Sequence, residues 1–174
     1  MYDHRQRFEA LVLPHMDAAY NLARWLSRSP ADADDIVQDA MLRAFRGFDG
    51  FRGDNTRPWI LTIVRNCWLN RATDTHRRGH APLPEEDDQA LAFDGPDPEA
   101  QALRASESRR LEAMIAGLPE EFRTALILRE MEDLSYREIA EATGAPIGTV
   151  MSRLARARAL LKNQWSAEDA DVVR

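Results

Sequence analysis

The 174-residue chain has one cysteine, Cys67, which excludes an intramolecular disulfide and a cysteine-built zinc cluster. Histidine is nearly as sparse. Only His76 and His80 share helical spacing, with no third ligand nearby, so no metal and no other cofactor is expected. No apolar run is long enough to cross a bilayer, and the first residues lack a secretory pattern. The expectation is a reduced, cytoplasmic protein with no membrane span. Strand-like alternation and internal repeats are also missing, which leaves an all-α chain with 44% hydrophobic residues to build helical cores. No nucleophile, base and orienting group recur at a spacing that would converge, Asp34 and Asp35 included, so no enzyme is expected.

A net positive charge is lacking too. The chain carries −6, which superficially argues against nucleic acid, but overall charge is a poor guide where the signs are segregated. Residues 85–99 contain seven acids and no base, and without them the remainder is +1. Prolines at 82, 84, 96 and 98 punctuate the same stretch. This composition predicts a flexible acidic linker over 80–101. Two small helical domains result, at 1–79 and 102–174, the second ending in a short polar tail.

The second domain holds the clearest local signal, LSYREIAEATGAPIGTVMSRLARAR from Leu134 to Arg158. Ser135 and Glu138 have the spacing of a capping box and start a short helix. Gly144 ends it, Pro146 blocks continuation, and a second helix begins around Gly148. These are the marks of a helix-turn-helix. At about 100° per residue, Val150, Leu154, Ala157 and Leu161 share the packing stripe, while Thr149, Ser152, Arg153 and Arg156 spread over the far side. No acid occurs from Ile147 to Lys162. Arginines on such a face suit guanine edges and phosphates, and hydroxyls can position backbone oxygens. Charges alone would also fit an ordinary solvated face. The capped helix, glycine turn and basic face together point to DNA.

In the first domain, helical periodicity runs from Tyr2 to Arg28 with a break at Pro14. Ser29 and Pro30 form a cap and first helical position, and Ile36, Val37, Ala40, Met41, Ala44 and Phe48 form a buried stripe. Asp35, Gln38, Asp39, Arg43 and Arg46 lie on the exposed side. Asp49 to Arg57, DGFRGDNTR, is a loop, after which Pro58 suits the first turn of a long helix with Ile60, Ile63, Val64 and Cys67 inward. Thr62, Asn66, Asn70, Thr73 and Arg77 form a separate hydrogen-bonding stripe within about 80°. From Phe51 to His80 six arginines outweigh two aspartates, and Trp59 and Trp68 add aromatic surface. Basic charge interleaved with aromatics suits single-stranded nucleic acid, although for each tryptophan alone the core is the default reading.

Two segments in order carry a resemblance. ADADDIVQDAMLRAFRGFDGFRGDNTRPWILTIVRNCWLNRATDTHRR resembles region 2 of the bacterial sigma-70 family, in its extracytoplasmic-function (ECF) group, and LPEEFRTALILREMEDLSYREIAEATGAPIGTVMSRLARARALL resembles region 4. The resemblance implies a dissociable subunit that directs core RNA polymerase to promoter DNA, controlled by a separate anti-sigma factor. By position it implies that Asp35, Gln38, Asp39 and Arg43 dock on core polymerase. It implies that Asn66 and Asn70 face the minus-10 strand and that the Asp49–Arg57 loop captures a flipped base, so Asn55, Trp59, Asn66, Asn70 and Arg77 are the expected minus-10 contacts. Thr149, Ser152, Arg153 and Arg156 are the expected minus-35 readers. Many relatives carry a basic residue where this chain has Met151, which implies a different minus-35 preference. The rival reading is a stand-alone helix-turn-helix regulator, which would bind duplex DNA tightly without polymerase.

Overall fold

The computed structural model describes residues 2–77 and 98–172, and all regular structure among them is helical. Helix α1 spans Tyr2–Val12 and α2 Met16–Ser27, separated by a 3-10 turn, Leu13–His15, that contains Pro14. Helix α3 covers Pro30–Gly47; the Ser29 hydroxyl caps it by accepting from the Asp32 amide at 3.3 Å. Helix α4, Thr56–Arg77, starts two residues before Pro58, because the Asn55 carboxamide oxygen accepts from the Arg57 amide at 3.1 Å and takes over the first turn. The expected loop is therefore shorter. Its first residues form another 3-10 turn, Phe48–Gly50.

Helix α5 runs over Pro98–Ala116, so residues 98–101, the last of the expected linker, are helical. The rest of the expected linker, with His80, lies outside the described residues. Helix α6 covers Glu120–Glu130, α7 Tyr136–Thr143 and α8 Ile147–Val172. The polar tail expected from Asn163 continues α8 as far as Val172. Arg110 of α5 holds it there, donating to the Trp165 carbonyl at 2.8 Å with its guanidinium 4.1 Å from the Trp165 ring centre.

Helices α2, α3 and α4 pack on one another, and α6, α7 and α8 form a second group. Leu22, Ile36, Ile60 and Leu61 in the first group and Ile127, Leu128, Ile139 and Leu154 in the second are fully buried. Each contributes about 1.5–3 kcal/mol relative to leaving it in water. On α5, Leu111 is 42% exposed, and Met114 and Ile115 do the packing.

The two groups share one continuous buried cluster. Helix α7 packs on α4, and α2 meets α6. Polar bonds close the seam: both Asn21 (Nδ2) and Arg57 (Nη2) donate to the Glu132 carboxylate at 2.8 Å, one to each oxygen. Glu132 is only 3% exposed. Both of its oxygens are satisfied, which is the condition for a carboxylate to sit inside a protein.

Candidate nucleic-acid interface

The turn between α7 and α8 is built from local chemistry. The Ser135 hydroxyl accepts from the Glu138 amide at 3.2 Å, and the Ser135 amide donates to the Glu138 carboxylate at 2.7 Å, completing the expected capping box. That backbone bond is the main reason the Glu138 carboxyl titrates below its ordinary range, with the Ser135 and Asn55 side chains and the Arg57 charge adding to it against partial burial. Gly144 closes α7 at φ +67, in the left-handed region that favours glycine. The Thr149 and Val150 amides then return to the Pro146 carbonyl to begin α8.

Val150, Leu154 and Ala157 fill the inner side of α8. Ser152, Arg156 and Met151 are exposed and Thr149 is half-buried. Arginines on this helix differ in what they touch. Arg153 reaches Glu121 of α6 at 3.7 Å, and Arg158 makes two bonds to Glu130, of 3.2 and 2.5 Å. Arg156 has no ion pair among the described residues. Of the expected minus-35 set it alone carries an unengaged charge, and the Ser152 hydroxyl donates back to the Thr149 carbonyl at 3.0 Å.

On α4, Asn66 and Asn70 stand one turn apart and exposed. Thr62 and Thr73, on the same stripe, give their hydroxyl protons to the Pro58 and Leu69 carbonyls of their own helix at 2.7 and 2.9 Å. Among the described side chains of the stripe, the two carboxamides are thus the available hydrogen-bonding groups. Trp59 lies on the same side two turns earlier and is half-buried, 4.8 Å from the Phe51 ring and 6.2 Å from Phe48. It is part core and part surface. Arg77 ends the helix, and its side chain lies outside the described residues. Asn55 is not free: its amide donates to Glu138 of α7 at 2.9 Å, tying the loop to the helix-turn-helix.

The expected docking residues divide between two sides of α3. Arg71 of α4 reaches Asp32, Asp35 and Asp39 at 3.5, 3.0 and 4.0 Å, so two of the four share one cation. Arg43 is exposed beyond them, close enough for its charge to act on the buried Cys67 thiol, which burial nonetheless pushes up. Gln38 faces the other way, into an apolar groove of about 660 Å³ that includes Tyr20, Met41, Leu42 and Phe45. Leu42 is 52% and Phe45 41% exposed. Sequence reading passed over both, since they fall off the buried stripe; two large apolar residues on a face otherwise read as polar were the available signal.

Residues 11–78 match the family described as Sigma-70 region 2, and residues 108–161 match Sigma-70, region 4. The chain is 36% identical over 172 residues to the ECF RNA polymerase sigma-E factor of Haemophilus influenzae, covering 92% of this chain and 88% of that one. It is 32% identical over 167 residues to the ECF RNA polymerase sigma factor SigE of Mycolicibacterium smegmatis, covering 96% of this chain and 65% of that longer one. Among solved structures, the sigma factor RpoE from Bartonella quintana, in complex with the anti-sigma factor NepR, superposes with a TM-score of 0.76 at 25% identity, over 95% of this chain and 98% of that one.

Proposed function

This chain belongs to the sigma-70 family, in its ECF group, and is a non-enzymatic factor that directs core RNA polymerase to promoters; on that premise we propose how its two halves divide the work. The first domain docks on core polymerase and opens the minus-10 element. The second reads minus-35 through α8. An acidic linker joins the domains along the chain, the protein works in the bacterial cytoplasm, and a separate anti-sigma factor restrains it, as likeness to a sigma factor solved with one supports.

The observation that carries this division is the pairing of two complementary surfaces in the order of the two family regions: the carboxamides of Asn66 and Asn70 on α4, and the acid-free outer face of α8. Exposed carboxamides can hydrogen-bond the edges of unpaired bases. Extruding a base costs a few kcal/mol, which contacts to the flipped base and its neighbours offset without ATP. Asn55, Trp59 and Arg77 complete that proposed set, with Trp59 supplying a flat partner. Thr149, Ser152, Arg153 and Arg156 form the upstream set. Asp35, Gln38, Asp39 and Arg43 are the proposed polymerase contacts, and the neighbouring Leu42 and Phe45 add apolar area.

In vitro transcription with core polymerase on a promoter library tests the division. Asn66→Ala with Asn70→Ala is expected to abolish strand opening, read by permanganate reactivity of unpaired thymines, while upstream binding persists. Opening at wild-type levels by that double variant would sink the minus-10 assignment. A stand-alone regulator would instead give tight duplex binding that core polymerase does not improve.

A further inference from the structure

Helix α8 places a large apolar side chain where packing has no use for it. Val150, Leu154 and Ala157 fill the interior of this helix at 0–1% exposure, whereas Met151 is 52% exposed. Ile147, four residues earlier and on the same side, is 47% exposed. The outward positions beside Met151 are Gly148, Ser152 and Ala155, all short and all exposed. On that flank only short side chains stand between an approaching surface and the thioether. Across that low ridge, about 140° around the helix from Met151, stands Arg156.

The charge pattern identifies what approaches. No acidic residue occurs from Ile147 to Lys162, and Arg156 has no ion pair among the described residues. The surface is complementary to a polyanion, and the first turns of a second helix in a helix-turn-helix are the part that meets base edges. Major-groove edges offer hydrogen-bond donors and acceptors and one apolar group, the C5-methyl of thymine. A methionine tip makes no strong hydrogen bond, so against guanine, adenine or cytosine it would only displace water from polar atoms. Against thymine it removes two apolar surfaces from water at once.

We propose that Met151 is a specificity residue, reading the methyl group of a thymine in the duplex held by α8, with Arg156 reaching the bases on the opposite flank. This rests on the reading of α8 as the minus-35 helix and extends it to a base preference. Ile147 shields the contact from the solvent side.

Deoxyuridine tests this directly, because replacing thymine by uracil removes only the methyl group. The full chain with core polymerase would select an upstream element from duplexes randomised over that region, and the winner would be resynthesised with uracil at each thymine in turn. Wild type is expected to lose about fourfold in affinity at one or two positions, the worth of one buried methyl. Met151→Ala and Met151→Gln are expected to bind thymine and uracil duplexes equally there, with unchanged thermal midpoints because the site is exposed. Uracil tolerated at every position by wild type, or the same discrimination retained by both variants, overturns the proposal while leaving α8 a DNA-reading helix. Failure to select any upstream element overturns the minus-35 reading itself and this inference with it.

Discussion

Arg57 of α4 and Glu132, in the turn between α6 and α7, meet at 2.8 Å although 75 positions separate them in the chain. Glu132 is almost fully buried, while the Arg57 side chain is 36% exposed. Removing the carboxylate leaves a partly buried guanidinium and the Asn21 amide without their acceptor. Glu132→Ala is expected to destabilise the protein by about 1–3 kcal/mol, below the usual cost of breaking a fully buried pair because water still reaches Arg57. Urea denaturation measures this; a midpoint unchanged from wild type would show that the pair contributes nothing.

The arginines of α8 are expected to respond unequally to truncation. Arg156→Ala should weaken upstream DNA binding by about 1–3 kcal/mol and relax selectivity at one position. Arg158 must first leave Glu130, so Arg158→Ala should cost less, and Glu130→Gln should raise affinity and steepen the salt dependence by freeing the guanidinium. Gel shifts with core polymerase across a salt series read all three. Equal losses for Arg156→Ala and Arg158→Ala would contradict the distinction.

Asp39→Arg is expected to impair association with core polymerase while helical content stays intact, since it inverts charge on an exposed face and faces Arg71 with a second cation. Co-purification with core enzyme checks it. Undiminished recovery of the complex would remove Asp39 from the docking set.

Stability should decline in mild acid. Burial, and after it the Arg57 charge, lowers the His15 pKa below its ordinary value of about 6.5. The unfolded chain therefore binds the proton more readily than the folded one. Full stability holds above about pH 6.5 and falls as pH drops from there through the lower folded value. His15→Gln should flatten this part of the curve. Glu138, whose carboxyl titrates below its ordinary range, adds a second decline in stronger acid, as protonation weakens the cap of α7. Urea midpoints between about pH 2.5 and 7.5 separate the two, and parallel curves for wild type and His15→Gln would exclude the histidine.

What could be read from the chain beforehand followed the range of the interactions involved. Ser135 with Glu138, Ser29 with Pro30 and the left-handed Gly144 act within three or four residues, so their geometry is written in their spacing. The inner faces of α3 and α8 were equally legible, because burial of one face imposes helical periodicity, whereas on α4 Leu61 is fully buried outside the expected strip and Ile63 is only half-buried. Glu132 was not: beside Asp133 it reads as surface acid, and only folding brings Asn21 and Arg57 to it. Asn55 appeared as an available loop contact for the same reason, its bond to Glu138 crossing 83 positions. Arg71 likewise gathers acids from another helix. Periodicity says which positions are apolar and says nothing about which polar groups find each other.

The continuous buried cluster shared by the two halves has a consequence for cooperativity. Although residues 11–78 and 108–161 match separate families of regions, neither half can melt without stripping cover from the other where α7 lies on α4. Heating should therefore give one calorimetric peak whose van't Hoff and calorimetric enthalpies agree, rather than two independent transitions.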